Sequence, residues 1–293
     1  SEAISKEIID ICIQACGMDV TTGKFLWDTL LSRLLDEYED EMECQADEGQ
    51  LLQLRKSIIK TIYQQLSHPL LGMDNALREI EEALSRCCTD SASDTALVNP
   101  EQLERTVKET LAALQSRLPH ELNIDKIIAS DKANPEQLQQ AWLDYALFEV
   151  QAKQPSRAQR IYERALLSFT DCSINANVNH IALLSIWESY CNFLSKDLKD
   201  WSLLENVSKR SLKTHYTSAT LWTQHFLAIE CCQSRPGHEH GFMNDVTAIK
   251  DECALMRTKV TQALGSGLTQ HSDYITIFRV LWGYCHRRVR AVV

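Results

Sequence analysis

The chain has 293 residues, enough to bury a core as one large domain or two modest ones. Glycine and proline number only 9 and 6, about half their usual share, which argues against a turn-rich β-sandwich, a collagen-like segment or a flexible linker and for a mostly helical chain. The formal charge of −10 sits in residues 1–50, where 13 acids face Lys6, Lys24 and Arg33, while the remaining residues are balanced. The bulk of the chain therefore lacks the positive field of a protein that coats a phosphate backbone, and direct nucleic-acid binding is expected to be weak or absent.

Residues 8–16, IIDICIQAC, are apolar-rich but contain an acid and follow no basic region, so they do not read as a signal peptide. No run of 18 apolar residues occurs, and no membrane span is expected. Trp27 is expected to begin a helix that ends in LLDEYEDEMECQADEG, residues 34–49. Glu39, Asp40, Glu41 and Glu43 are the densest part of that stretch, with two readings: a solvated helix end, or an acidic contact for a basic partner. The polar stretch 87–100 reads as a linker between N-terminal repeats in 1–86 and further repeats in 101–293. NPEQLERTVKETLAALQSRL at 99–118 carries its own start signal: Asn99 can cap, Pro100 suits the first helical position, and Leu103, Val107, Leu111 and Leu114 form one stripe. Breaks follow at Pro119, Asn134-Pro135 and Pro155, and in polar stretches 171–180 and 233–245.

A ladder of large side chains then recurs. Trp142, Tyr145 and Phe148 stand three residues apart and Glu149 follows; Trp187, Tyr190 and Phe193 repeat the spacing 45 residues later. Trp222, His225 and Ala228 come after another 35 residues, and Phe278, Leu281 and Tyr284 give a degenerate fourth copy after 56 more. Each ladder belongs to the first helix of an antiparallel pair. The second helix is clearest at 156–166, where Ala158, Ile161 and Ala165 face inward and the alanines let a neighbouring backbone come close. One pair cannot bury its own apolar face, so pairs must stack, and the fold class expected is an all-α, right-handed helical-repeat solenoid. A stripe at helical spacing inside a repeat reads as core, because each aromatic fills the gap between paired helices.

The run Trp142, Tyr145, Phe148, Glu149, then Arg157, Ala158, Ile161, Tyr162, Glu163, Arg164, Ala165 and Leu166 resembles the half-a-TPR (HAT) repeat of RNA-processing factors. With residues 66–84, 221–230 and 272–289 in order, it is similar to the HAT domains of the U4/U6 snRNA recycling factors. The fourth ladder departs from that pattern in having Phe278 for tryptophan. The resemblance implies a non-catalytic protein-interaction scaffold in pre-mRNA splicing that supports U4/U6 snRNP reassembly in the nucleoplasm or Cajal bodies. It also implies snRNP and spliceosomal proteins as partners, contacts with ubiquitin-specific proteases, and homodimerisation through later repeats. The alternatives are a HAT scaffold of another splicing or 3′-end cleavage complex, and a solenoid that contacts snRNA itself.

Residues able to do chemistry are few. The eleven cysteines are odd in number and share no spacing, which fits free thiols in a reducing compartment. Cys231 and Cys232 with His238 and His240 match no zinc spacing and read as a polar insertion, and Cys12 and Cys16 read as buried thiols. No nucleophile elbow, phosphate-binding glycine loop or zinc-protease motif is present, so no enzyme, cofactor or metal is expected. Glu149 and Arg164, one on each helix of a pair, are either a charge-assisted bond fixing register or two separately solvated groups. The basic run with Arg287, Arg288 and Arg290 is either the charged face of a last helix or part of an RNA or partner contact. Since the chain stops soon after that helix, an apolar face awaiting further repeats is expected there.

Overall fold

The computed structural model describes residues 6–45, 47–87, 98–130, 134–171, 176–233 and 246–292. The chain is all-α, built from repeated helix pairs, with no strand among the described residues. It divides into two compact units, Ser1–Asn123 and Ile124–Val293. That boundary falls inside a helix at Leu118–Ile128, beyond the polar stretch 87–100, whose first residue, Cys87, is buried in the first unit. Residues 88–97 lie outside the described residues.

In the first unit the helices are α1 (Lys6–Cys16), α2 (Gly23–Glu43), α3 (Glu48–Leu66), α4 (Ala76–Cys87) and α5 (Pro100–Gln115), with α6 (Leu118–Ile128) following. Trp27 lies one turn inside α2 rather than at its start, and its indole N–H donates to the Gly17 carbonyl at 2.8 Å. Gly23 lets the turn before α2 close: a Cβ there would sit 2.5 Å from the Gly17 carbonyl oxygen. Trp27, Leu30, Leu34 and Tyr38 on α2 pack with Ile58 and Ile62 on α3, Ile80 and Ala83 on α4, and Leu103 and Val107 on α5. The cap expected at Asn99 forms: its side chain accepts from the N–H groups of Glu101 and Gln102, with Pro100 next to it.

The second unit repeats one pattern. Its hairpins are α7 (Pro135–Gln151) with α8 (Pro155–Asp171), α9 (Ala176–Phe193) with α10 (Trp201–Thr214), and α11 (Ala219–Gln233) with α12 (Val246–Leu264); α13 (His271–Val292) follows. The first helices of successive hairpins lie side by side, α7 on α9, α9 on α11 and α11 on α13. The chain turns from α7 into α8 through Lys153, and into α10 through Lys199 after a π-helical segment, Leu194–Leu198; both lysines are left-handed, with φ of 57° and 54°. Asn134 and Asp200 then cap α7 and α10 with their side-chain oxygens.

Candidate functional site

The ladders line the core of the second unit. Trp142, Tyr145, Trp187, Tyr190, Phe193 and Trp222 are buried, and Phe148 is half-buried. Ala158, Ile161 and Ala165 of α8 share their cluster, so the small residues admit the neighbouring helices as their size requires. Tyr162 stacks on Tyr190, ring centroids 4.9 Å apart and planes 9° apart, and burial pushes the Tyr162 hydroxyl up to about 12. One ladder position departs from expectation. Phe278 is 54% exposed, and Ile277, one residue earlier, is fully buried in its place, with Tyr284 buried below it. The core-facing stripe of α13 thus runs through Tyr274, Ile277, Leu281 and Tyr284 and passes Phe278 by one residue.

Arginines finish the ladder. Arg164 lies with its guanidinium carbon 5.2 Å over the ring of Trp142, and Arg210 lies 5.3 Å over Trp187. Both are the third residue of matching segments, YERAL and SKRSL, 22 residues after Trp142 and 23 after Trp187, which marks a shared role. Arg210 also holds Glu163 with two parallel hydrogen bonds of 2.8 Å, and Tyr190 donates its hydroxyl to the same carboxylate at 3.1 Å. Glu149, the acid at the end of the first ladder, is 1% exposed.

The charged residues considered as partner contacts fare unequally. Arg287 grips Glu230 of α11 with two hydrogen bonds of 2.7 Å, and Arg288 donates to Glu252 of α12 at 2.9 Å. Both tie α13 to the preceding hairpin, with the Arg287 side chain 56% exposed and that of Arg288 16%. The side chain of Arg290 lies outside the described residues. On α2, Glu39 receives a 2.7 Å hydrogen bond from Arg86 of α4, which holds its carboxyl below the ordinary range, and Asp36 adds a longer contact at 3.5 Å. Asp40 and Glu43 are exposed and Glu41 half-exposed. The last turn of α2 contains no basic residue, so its acids face the negative end of the helix dipole.

Two histidines are buried: His225, the middle rung of the third ladder, and His215, which the sequence reading did not single out because a lone histidine carries no signal of its own. His225 holds its Nδ1 2.9 Å from the Ser208 hydroxyl, and burial pulls its imidazole from 6.5 down to about 4. His215 packs 4.1 Å from the ring of His180 and donates from Nε2 to the His180 carbonyl at 3.0 Å; burial lowers it too. Burial also raises the Cys191 thiol to about 12, the mark of an inert core thiol. Cys12 is half-buried and Cys16 exposed, against the buried thiols expected, because the outer face of α1 is open. Cys231 and Cys232 lie on α11, whereas His238 and His240 fall outside the described residues. Among the described residues no three His, Cys, Asp or Glu side chains converge as metal ligands, and no helix is long and apolar enough to cross a membrane.

With buried ladders and surface ion pairs in view, similarity to known proteins gains weight. The chain is similar to proteins named as spliceosome associated factors. Spliceosome associated factor 3, U4/U6 recycling protein, of Homo sapiens is 24% identical over 284 residues, covering 97% of this chain and 24% of that protein. The Mus musculus protein of that name gives the same figures, and the Danio rerio one is 23% identical, covering 94% of this chain and 25% of its own length. The chain spans about a quarter of the length of these curated relatives. No protein-family model matches it.

Proposed function

We propose that the chain is a non-catalytic protein-interaction scaffold of the HAT type, acting in the nucleus in pre-mRNA splicing and supporting U4/U6 snRNP reassembly. The observation that carries the reading is the similarity, along 97% of the chain, to proteins named as U4/U6 recycling factors. The helix pairs agree with it: stacked hairpins offer long surfaces built from many side chains, suited to holding other proteins. The charge pattern favours proteins over RNA as direct partners. Arg86, Arg210, Arg287 and Arg288 are engaged by carboxylates of the chain itself, which lowers their attraction for phosphates.

Affinity purification of the tagged chain from nuclear extract tests the reading. U4 and U6 snRNAs should co-purify with their particle proteins, and RNase treatment should leave the directly bound proteins in place. Recovery of cleavage-complex proteins without U4/U6 components would instead assign the scaffold to 3′-end processing. A titration of the isolated chain with U6 snRNA checks the RNA alternative: saturable binding that weakens steeply with salt would replace the scaffold reading.

A further inference from the structure

Three helices of the second unit meet at one corner. His215 closes α10 with its N–H on the Ser211 carbonyl at 2.8 Å, and its own carbonyl accepts from the Ser218 N–H at 3.1 Å where the chain turns into α11. The Tyr216 carbonyl accepts the Trp222 indole N–H at 2.7 Å, and the Ser218 hydroxyl donates to Glu188 of α9 at 3.1 Å. The His215 imidazole, 2% exposed, reaches the start of α9 through its bond to the His180 carbonyl. At this corner the link from α10 to α9 thus runs through a buried titratable ring.

Both ring nitrogens of His215 are satisfied when the ring is neutral. Nε2 places its hydrogen on the His180 carbonyl, and Nδ1 accepts from the Thr214 hydroxyl at 2.8 Å. That hydroxyl also lies 3.1 Å from the Ser211 carbonyl and can turn its hydrogen there when Nδ1 takes up a proton. Hydrogen bonding therefore serves imidazole and imidazolium alike, and the two states are separated by water and charge. The ring is withdrawn from solvent, and the exposed His180 ring lies 4.1 Å from it, so a proton on each would set two like charges side by side. Burial holds the His215 imidazole below its ordinary 6.5, more than the bond to the His180 carbonyl raises it, and a charge on His180 acts in the same downward sense. Among the described residues no carboxylate bonds either ring to steady a charge. Lys213 of α10 is exposed, Glu188 is taken by Ser218, and α11 carries no lysine, arginine or carboxylate before Glu230.

We infer that His180 and His215 form a proton-operated latch: neutral rings keep the corner between α10 and α11 closed on α9, and proton uptake loosens it. An opened corner returns His215 to water and to its ordinary value, so the open form binds the proton first. The latch is at full strength above pH 6.5 and weakens as pH falls below it. Loosening acts on the seam between the α9–α10 and α11–α12 hairpins, because Ser218 and Trp222 fix the start of α11 to this corner. Such a latch depends on the fold alone and not on what the chain binds.

Amide hydrogen exchange of the whole chain at about pH 7.5 and about pH 5.5, corrected for the intrinsic effect of pH on exchange, tests the latch. Opening at the amides of His215, Ser218 and Trp222 should become severalfold more frequent at the lower pH. The limit is about tenfold, which one imidazole of ordinary value sets about one unit below 6.5. The response should vanish in His215→Gln and shrink in His180→Ala, which removes the facing ring and leaves the carbonyl. It should persist in His225→Gln, which takes away the other buried imidazole. In the unaltered chain the His215 ring resonance should titrate below pH 6.5, a readout that stands even if His215→Gln fails to fold. No response in the unaltered chain, or an equal one in His215→Gln or His180→Ala, overturns the latch. Loss of the response in His225→Gln assigns it to that ring and overturns it too, as does a His215 signal titrating at or above pH 6.5, which would mean that the proton holds the corner closed.

Discussion

Arg210 crosses from one hairpin to the next to hold Glu163, its Nη1 and Nη2 each 2.8 Å from a carboxylate oxygen, while its flat face lies over Trp187. Lysine cannot reproduce both contacts, because an ammonium has neither the planar fork nor the stacking face. Arg210→Lys should therefore lower stability by about 1 kcal/mol in urea unfolding, the pair being partly exposed and screened. A loss as large for Glu163→Gln, and near-additivity of the two changes, would show that they do not act together.

Trp142→Ala and Phe278→Ala separate a buried ladder position from an exposed one. The first should cost about 3 to 5 kcal/mol and lower the melting temperature accordingly. The second should cost about 0.5 kcal/mol or less, because Phe278 has little contact to lose. Equal melting shifts would contradict the distinction drawn between the two.

His225 gives the second unit a dependence on acid. Its folded-state pKa, about 4, lies below the usual 6.5, so the unfolded chain takes up the proton first. Stability from this site is full above pH 6.5, is lost as pH falls toward 4, and amounts to about 3 kcal/mol across that window. Lys259, Lys209 and Glu205 are the charged groups that act on it, and Ser208 is its hydrogen-bond partner. His225→Gln should flatten the stability profile between pH 6.5 and 4 in thermal unfolding. An unchanged slope would place the acid sensitivity elsewhere.

Glu252 and Arg288 are largely withdrawn from water, at 7% and 16% side-chain exposure. Glu252→Ala takes the carboxylate from a largely buried guanidinium, which keeps contacts with the Glu230 carbonyl and the Tyr284 ring, and should destabilise by about 3 kcal/mol. An unfolding midpoint unchanged by Glu252→Ala would show that the pair adds nothing to the stability of the fold.

The end of α2 offers a change in the opposite direction. Asp40 and Glu43 are exposed and lie at the negative pole of the helix. Asp40→Lys and Glu43→Lys should each raise stability by about 0.3 to 1 kcal/mol in the isolated chain. If a basic partner uses this end, the same changes should weaken its capture. That combination would show the acids to be kept at a cost to the fold.

The ladders were legible because tryptophan, tyrosine and phenylalanine at three-residue spacing leave little choice of secondary structure or of burial. Helix starts at Asn99-Pro100 and Asn134-Pro135 were legible because capping is local chemistry. The state of Phe278 was not, since burial depends on whether a neighbouring helix arrives and not on the residue. Nor was the division of the chain at 123/124, because α6 runs through it without any change of composition. The roles of Arg287 and Arg288 were hidden for a related reason: their carboxylates lie 57 and 36 residues away, and a basic run looks alike whether free or engaged.

Three ion pairs that join different helices among the described residues of the second unit share a direction. Glu163 precedes Arg210, Glu230 precedes Arg287 and Glu252 precedes Arg288, so in each the carboxylate comes from the earlier hairpin and the guanidinium from a later element. Such contacts are head-to-tail and not self-complementary. A hairpin can take its place only with the correct neighbour on each side, and two hairpins exchanged in sequence would meet acid with acid or leave a carboxylate facing none. The order of the hairpins is thereby written on their surfaces as well as in the chain that links them.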